Sequence, residues 1–191
     1  MNLCVFQGTF NPIHNAHIDM ANYVLDNYDF DNILFIPAYM PVHKDYDLKM
    51  CQHRFNMVKL AISDNDRFKI SDIEYKLNQK SYTYYTILEL YKIYDLKNKI
   101  KFIIGTDAFE KIETWHRSDE LKKLVEFIVF TRENELNKNK YDYLKEKGYV
   151  FEFAKMDYIE ISSTDARKNL DEQTQILPEK VKGYIIKNEL Y

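Results

Sequence analysis

The sequence is poor in cysteine, glycine and proline, and it contains no long apolar run. Its two cysteines, Cys4 and Cys51, are too few for a disulfide framework or a zinc site, so we expect reduced thiols in a cytoplasmic protein. No stretch of roughly 18 apolar residues occurs, and the first residues lack the basic segment and apolar core of a secretory signal. We therefore expect neither a membrane-spanning helix nor export.

The charge balance narrows the range of partners. The 191 residues include 27 Lys and Arg against 30 Asp and Glu, which gives a net charge of −3. A general binder of nucleic acid or of a membrane surface would show a large basic surplus, so we expect neither partner. An anionic small-molecule substrate would have to be held by local cations. Since 46% of the residues are hydrophobic and no linker-like segment occurs, we expect residues 1–191 to form a single domain, of oligomeric state unknown from sequence.

Short runs rich in β-branched and aromatic residues alternate with stretches of helical periodicity. The predicted strands are Leu3–Phe6, Asn32–Ile36, Phe68–Glu74, Lys101–Ile104, Glu126–Thr131 and Tyr149–Ala154. The predicted helices are Asn15–Tyr28, His53–Ser63, Thr83–Tyr94, Ser118–Leu124, Thr164–Leu170 and Glu179–Lys187. This alternation predicts an α/β protein, a Rossmann-like doubly wound parallel sheet with helices on both faces. In such folds ligands bind beyond the carboxyl ends of the strands, where the strand order switches.

Polar residues suited to ligand binding follow four of the predicted strands. They are Gly8, Thr9, His14 and His17 after the first strand, Pro41-Val42-His43-Lys44 after the second, Gly105-Thr106-Asp107 after the fourth and Arg132 after the fifth. Because the carboxyl ends of parallel strands share one edge of the sheet, we expect these residues to lie along one edge.

The pair His14 and His17 stands where the first strand has ended and the first helix begins. Two histidines three residues apart could bind a metal, but no nearby Glu or Cys has the spacing of further ligands. They could also be capping or core histidines. The Gly8 turn and the helix start favour a third interpretation, contact with phosphate, since the first turn of a helix offers free N–H groups and a positive dipole end.

A second candidate phosphate site is the segment Ile161-Ser162-Ser163-Thr164-Asp165-Ala166-Arg167. Hydroxyl residues before a helix often cap it, which is the alternative for a lone Ser-Ser-Thr. With Arg167 beside them, we favour contact with the same polyphosphate. Asp107 could bind ribose hydroxyls or cap a helix. Arg54 could be a further cation for the phosphates, but we favour an ordinary ion pair on a helix surface.

Several motifs carry a resemblance over nearly the whole chain, from Val5 to Tyr191. In order they are GTFNPIHNAH, which is similar to a signature containing H-x-G-H, then PVHK, SYTYYTI, FIIGTDAF, Trp115, FTR, ISSTDAR and LPEKVKGYI. This ordered set resembles the bacterial nicotinate-mononucleotide adenylyltransferases of the nucleotidyltransferase superfamily. The resemblance implies an enzyme of NAD biosynthesis that transfers the adenylyl group of ATP to nicotinate mononucleotide. The products would be deamido-NAD and pyrophosphate, formed by direct in-line attack on the α-phosphate without a covalent intermediate.

The resemblance also implies roles for individual residues. His14 and His17 would hold the ATP phosphates during the reaction, and Trp115 would stack on the pyridine ring. The residues implied for ATP and phosphate binding are Gly8, Thr9, Phe10, Lys44, Gly105, Asp107, Arg132, Ile161, Ser162, Ser163, Thr164 and Arg167. Those implied for nicotinate mononucleotide are Tyr82, Thr83, Thr86 and Trp115. Mg²⁺ is implied as a cofactor held mainly by substrate phosphates and water, so no protein metal ligand is assigned.

The pyridine end of the predicted site bears on substrate choice. Thr83 is predicted to begin a helix, and a positive helix end prefers a nicotinate carboxylate to a neutral carboxamide. The sequence departs from the family pattern at Gln7, Asn11, Ala16, Tyr85 and His116. The departures at Tyr85 and His116 lie near the expected pyridine site.

Two other functions are kept as alternatives. The first is another adenylyl- or cytidylyltransferase on the same fold, for example one that acts on phosphopantetheine. Trp115 and the SYT and PVHK motifs disfavour it. The second is a non-catalytic nucleotide-binding regulator, which the presence of His17, Lys44, Arg132 and Arg167 disfavours.

Overall fold

A computed structural model describes residues 2–42, 47–131, 137–156, 162–168 and 176–191 of the chain. Lys44, Arg132 and Ile161, which the sequence analysis placed in the phosphate site, lie outside the described residues. The described strands are β1 (Cys4–Gly8), β2 (Ile33–Pro37), β3 (Phe68–Ile70), β4 (Ile100–Gly105), β5 (Val125–Phe130) and β6 (Phe151–Phe153).

These strands form one parallel sheet in the order β3-β2-β1-β4-β5-β6. Strand β1 pairs with β2 on one side, where Val5 is in register with Leu34, and with β4 on the other, where Val5 is in register with Phe102. The strand order therefore switches between β1 and β4. A crevice at that switch is where a doubly wound fold binds its ligand.

Helices cover both faces of the sheet. Their bounds are α1 (Asn15–Asn27), α2 (Leu48–Ala61), α3 (Ile73–Leu77), α4 (Thr83–Ile93), α5 (Thr106–Phe109), α6 (Ser118–Leu121), α7 (Asp142–Glu146), α8 (Ser163–Lys168) and α9 (Glu179–Lys187). Short 3₁₀ turns occur at Ile112–Thr114 and Lys138–Tyr141. The predicted fold class, an α/β doubly wound parallel sheet with helices on both faces, is confirmed.

The alternation of side chains along the strands divides the core into two layers. Val5 of β1 belongs to the layer that packs against α3, α4, α5, α6 and α7, whereas its neighbours Cys4 and Phe6 belong to the layer under α1, α2 and α9. Successive side chains of a strand point to opposite faces, which is why one short strand serves both layers. None of the helices in the described ranges is long and apolar enough to cross a membrane.

The structure differs from the predicted elements mainly at their ends. The predicted strand Phe68–Glu74 stops at Ile70, and the chain turns into α3, where the N–H groups of Tyr75 and Lys76 donate to the carbonyl of Asp72. Helix α2 starts five residues earlier than predicted because the Asp47 side chain accepts a hydrogen bond from the N–H of Lys49 at 2.9 Å and caps the helix. The short helices α5 and α7 were not predicted, since four or five residues give too little periodicity.

Candidate active site

A cavity of about 740 Å³ lies at the carboxyl edge of the sheet, where β1 and β4 end. Its walls come from the ends of those strands, from the start of α4 and from the segment after α5. Among its lining residues are Gln7, Gly8, Thr9, Ser81, Tyr82, Thr83, Gly105, Asp107, Trp115 and His116. The cavity therefore brings together some of the residues predicted for ATP and some of those predicted for the mononucleotide.

Gly8 is required here by the close approach of a ring. A Cβ atom at Gly8 would lie 3.0 Å from Cζ of Phe10, whose ring covers the glycine. Phe10 is 2% exposed and has a left-handed backbone with φ +48°, which is unfavourable for a bulky residue. Its ring also packs edge-on against His17, with 5.1 Å between ring centroids. The absence of a side chain at Gly8 thus leaves room for the Phe10 ring, which in turn packs against His17.

The predicted histidine pair is built as one unit at the start of α1. The backbone N–H of His14 donates to Nδ1 of His17 at 3.2 Å, and the two rings stack with centroids 3.7 Å apart. Because Nδ1 of His17 accepts a hydrogen bond, the neutral ring carries its proton on Nε2. His14 is 2% exposed and is the N-cap residue of α1. In the first turn, the N–H of Asn15 donates to the Ile176 carbonyl at 2.9 Å and the N–H of His17 to the His14 carbonyl at 2.9 Å, so these backbone donors are already used. Contact of this helix start with phosphate stays a prediction.

The second predicted phosphate segment is joined to the turn before these histidines. Arg167 donates to the carbonyl of Asn11 at 2.6 Å, and the Ser163 hydroxyl donates to the carbonyl of Pro12 at 3.0 Å. Tyr191 donates to the Asn11 side chain at 2.6 Å from the other direction. These contacts place Arg167 beside the α1 start, although neither the histidines nor α8 line the cavity itself.

Within this segment, the capping alternative is realised by one residue. The N–H of Asp165 donates to the Ser162 hydroxyl at 3.1 Å, and that hydroxyl in turn donates to the Asp165 carboxylate. These bonds lower the pKa of Asp165. Ser162 is therefore a helix cap in this structure, and Thr164 accepts a hydrogen bond from Arg167 at 3.2 Å.

The start of α4 and Trp115, which are predicted to bind the mononucleotide, line the cavity together. Helix α4 begins at Thr83, as predicted, and its N-cap residue Tyr82 makes no side-chain cap. Tyr82 and Thr83 of this helix start line the cavity together with Ser81. The N–H of Tyr85 already donates to the Tyr82 carbonyl at 3.0 Å, so the first-turn amides left for a ligand are those of Thr83 and Tyr84. Thr86, by contrast, is 1% exposed and lies behind the lining.

Behind that wall is a buried carboxylate that the sequence analysis did not identify. Glu74 is 2% exposed and accepts hydrogen bonds from the Thr86 hydroxyl at 2.8 Å, from the Tyr39 N–H at 3.0 Å and from the Gln7 amide. Burial raises the pKa of Glu74, and these hydrogen bonds oppose the rise. The carboxylate links the ends of β1 and β2 to α4. Since Glu74 was predicted at the end of a strand, nothing in the sequence indicated its burial.

Arg54 is a buried cation, so the prediction of an exposed ion pair is wrong. It is 3% exposed, and its guanidinium donates to the carbonyls of Thr9 at 2.8 Å, of Tyr39 at 3.1 Å and of Ala38. The side chain therefore fastens the loop after β1 to the loop after β2. Arg54 lies three residues after Cys51 and three before Met57, so it shares the buried face of α2 with them. This spacing could have predicted its burial if the start of α2 had been predicted correctly.

After β4, Asp107 faces the cavity from the first turn of α5. The N-cap of α5 is Gly105 and the helix begins at Thr106, so Asp107 is not the capping residue that the alternative supposed. Gly105 has ordinary contacts, since a Cβ there would meet only the Phe130 carbonyl at 4.0 Å. In the described ranges, no three acidic, histidine or cysteine side chains are grouped closely enough to hold a metal.

Comparison with known proteins agrees with this architecture. The cytidylyltransferase-like family model matches residues 5–169. A Fusobacterium nucleatum protein named "probable nicotinate-nucleotide adenylyltransferase" is 36% identical over 98% of both chains. A Caldicellulosiruptor saccharolyticus protein of the same name is 37% identical over 100% of this chain and 99% of its own.

Solved structures show the same fold. The nicotinic acid mononucleotide adenylyltransferase of Plasmodium falciparum, complexed with NaAD, superposes with a TM-score of 0.81 at 20% identity, covering 100% of this chain and 97% of its own. The family match and the relatives were found by comparison of sequences, and the superposition shows independently that the fold is the same. The chain is therefore a member of the cytidylyltransferase-like family and, within it, of the nicotinate-nucleotide adenylyltransferases.

Proposed function

We propose that the protein transfers the adenylyl group of ATP to nicotinate mononucleotide, forming deamido-NAD and pyrophosphate. The observation that carries this proposal is one cavity, at the switch between β1 and β4, with two unlike groups of lining residues. Phe6, Gly8 and Thr9 line it from the end of β1, and Phe6 packs on His17 with ring centroids 5.7 Å apart, whereas Trp115 and Thr83 line it from other elements. A polyphosphate near the first group and an anionic pyridine nucleotide near the second match this arrangement.

The reaction requires positioning and charge stabilisation more than covalent chemistry. An oxygen of the mononucleotide 5′-phosphate attacks the α-phosphorus of ATP, and the bond from that phosphorus to the bridging oxygen of the β-phosphate breaks. The electron pair leaves with pyrophosphate, so no intermediate on the protein is needed. His17 would donate its Nε2 proton as a hydrogen bond to the α-phosphate or to the departing pyrophosphate, where negative charge develops.

The residues beside the histidines would hold the rest of the triphosphate. Arg167 uses one guanidinium nitrogen on Asn11 and one on Thr164, and a guanidinium has five N–H donors in all. Through its bond to the Asn11 carbonyl, Arg167 would keep the turn before α1 in place. Its remaining N–H groups would donate to phosphate oxygens. Lys44, Arg132 and Ile161 stay in this proposal on the strength of their motifs alone.

The mononucleotide would be bound by stacking on an aromatic ring and by hydrogen bonds from the amides at a helix start. Trp115 is half-buried against Phe102, with 6.2 Å between ring centroids, and its ring lines the cavity. It would stack on the pyridine ring, while the N–H groups of the first turn of α4 would receive the carboxylate. A carboxylate gains more from these donors than a carboxamide does, which favours the nicotinate substrate.

We assign Mg²⁺ to the substrate phosphates and water. When bound there, it neutralises charge on the triphosphate and on the departing pyrophosphate. Magnesium dehydrates reluctantly and needs few protein ligands, so the cation fits a cavity without an acidic cage. Asp107 remains for ribose hydroxyls, because it is an exposed carboxylate at the cavity wall.

The test is to incubate the purified protein with ATP, Mg²⁺ and one acceptor at a time, and to measure the dinucleotide and pyrophosphate. The acceptors are nicotinate mononucleotide, nicotinamide mononucleotide and phosphopantetheine. We expect the highest kcat/KM with nicotinate mononucleotide and a large loss in His17→Ala. Turnover of phosphopantetheine instead would support the rival transferase, and binding of ATP without turnover of any acceptor would support a regulator.

A further inference from the structure

Tyr85 and His116, two of the departures from the family pattern, contact each other although 31 residues separate them in sequence. The Tyr85 hydroxyl and Nε2 of His116 lie 3.2 Å apart, within hydrogen-bond distance. The His116 ring also packs on Tyr82, with ring centroids 4.5 Å apart and planes inclined by 37°. One imidazole is thus held by two tyrosines of the same helix start.

This imidazole stands at the end of the cavity proposed to receive the pyridine ring. His116 follows Trp115 directly, and both residues line the cavity together with Tyr82 and Thr83. His116 is exposed, so its ring can exchange protons with solvent while its position is held. Histidine is the side chain whose charge ordinarily changes between about pH 5 and pH 8. The cavity therefore has a positioned group of variable charge beside the first turn of α4.

The other charged groups around His116 are accounted for in the described chain. On its own segment, Arg117 is paired with Glu120 at 2.9 Å and lies over the Tyr84 ring. Lys111 and Asp107 line the same cavity, and Tyr82 and Tyr85 face the imidazole from α4. Within this set, His116 is the one imidazole.

We propose that His116 is a specificity-determining residue. When protonated, its imidazolium, held by Tyr85 and Tyr82, would favour the nicotinate carboxylate over the neutral carboxamide of nicotinamide mononucleotide. This inference rests on the proposed function, because it concerns the choice between the two acceptors at the same site. It adds to the helix-end amides a contribution to selectivity that depends on pH.

The contribution of His116 can be isolated by measuring how the ratio of kcat/KM for the two mononucleotides depends on pH. The two mononucleotides share the same ribose and phosphate and differ only in the substituent on the pyridine ring. Titration of the phosphate or of any group that serves both acceptors equally therefore cancels in the ratio of their kcat/KM values. Solvent weakens the interaction of an exposed charge pair, so we expect selectivity for nicotinate to fall about two- to fivefold between pH 6 and pH 8.

The experiment measures kcat/KM for both acceptors across this pH range at fixed ionic strength. Where the amide turns over slowly, its inhibition constant against the nicotinate substrate replaces its kcat/KM. His116→Gln keeps a polar side chain near the Tyr85 hydroxyl but carries no charge, so its ratio is expected to be constant with pH. Tyr85→Phe keeps the charge but removes the hydroxyl, so the change with pH should be smaller than in the wild type.

A matched control exists on α2, which packs on the other layer of the core. His53 on α2 is hydrogen-bonded to the Tyr184 hydroxyl at 2.9 Å, a similar pair that does not line the cavity. His53→Gln should therefore keep the wild-type fall in selectivity. A wild-type ratio that is constant with pH, or the same fall in His116→Gln, overturns the inference while the proposed function stands. If neither mononucleotide is turned over, the proposed function is wrong and the inference is overturned with it.

Discussion

The N–H of His14 donates to Nδ1 of His17 at 3.2 Å, which leaves the His17 proton on Nε2. The two nitrogens of one ring thus have separate roles, one in holding the helix start and the other in the proposed contact with phosphate. Two amide side chains can separate these roles, because Asn places a polar atom near the Nδ1 position and Gln near the Nε2 position.

The first prediction is that His17→Asn lowers kcat about 10²–10³-fold, the usual effect of removing a donor that stabilises developing charge. Its side-chain oxygen can still accept from His14, so the helix start is expected to persist and the KM for nicotinate mononucleotide to change little. His17→Gln should retain more activity than His17→Asn because its amide N–H can approach phosphate. Steady-state kinetics with both variants provide the measurement, and a near-wild-type kcat in His17→Asn would contradict the role of Nε2.

A second prediction concerns the contact between Gly8 and Phe10. In Gly8→Ala the new methyl group would lie 3.0 Å from Cζ of a ring that is 2% exposed and cannot easily move. Overpacking of this kind typically costs about 1–3 kcal/mol, and the displaced ring would also shift His17. We expect a lower free energy of unfolding, measured in urea, and a lower kcat.

The control is Gly183→Ala on α9, where the added Cβ would meet no atom within 4 Å apart from its chain neighbours and the backbone of its own helix. Alanine is favoured over glycine in a helix by roughly 1 kcal/mol, so this variant should be as stable as the wild type or more stable, with unchanged activity. Equal effects of the two substitutions would show that the Phe10 contact does not matter.

The comparison of sequence and structure separates local signals from tertiary ones. The existence and order of the six strands, the helix start at Thr83 and the placement of His14 before α1 were predictable, because periodicity and turn residues act over a few positions. Glu74 and Arg54 were not, since their burial depends on partners far away in the sequence. Charged residues are usually exposed, and only the assembled fold supplies the donors and acceptors that make their burial possible.

A third prediction follows from the hydrogen bonds of Arg54. Arg54→Met fills a similar volume but removes the Arg54 donor from the carbonyls of Thr9 and Ala38. The Ala38 acceptor is buried, and leaving such a group without a donor costs about 1–3 kcal/mol. The loops after β1 and β2 would loosen, so we expect a lower midpoint of urea unfolding and a higher KM for ATP. Arg67 also donates to backbone carbonyls, but it is exposed, so water can replace its hydrogen bonds. Arg67→Met should therefore lower the free energy of unfolding by less than about 1 kcal/mol. Similar losses in both variants would mean that burial of Arg54 adds nothing.

The final prediction is a dependence of stability on pH that comes from Glu74. Burial raises the pKa of Glu74 above its ordinary value of 4.5, so the folded protein holds this proton more tightly than the unfolded chain does. The stabilising effect of protonated Glu74 is therefore complete below the ordinary value and is lost as the pH rises through the higher folded-state pKa. Glu74→Gln has no such titration. We expect the advantage of the wild type over Glu74→Gln in free energy of unfolding to be greatest in acid and to shrink as the pH rises.

Glu110 provides a control of opposite sign on the surface. Hydrogen bonds from Lys140 and Tyr141 lower the pKa of Glu110, so its contribution is present above its ordinary value and is lost as the pH falls through the lowered one. The advantage of the wild type over Glu110→Gln should then grow with rising pH, although solvent keeps it small. Urea unfolding of the three proteins over the acidic to neutral range measures both slopes. Two slopes of the same sign would mean that the Glu74 carboxylate is better stabilised in the fold than in water, and that its hydrogen bonds outweigh its burial.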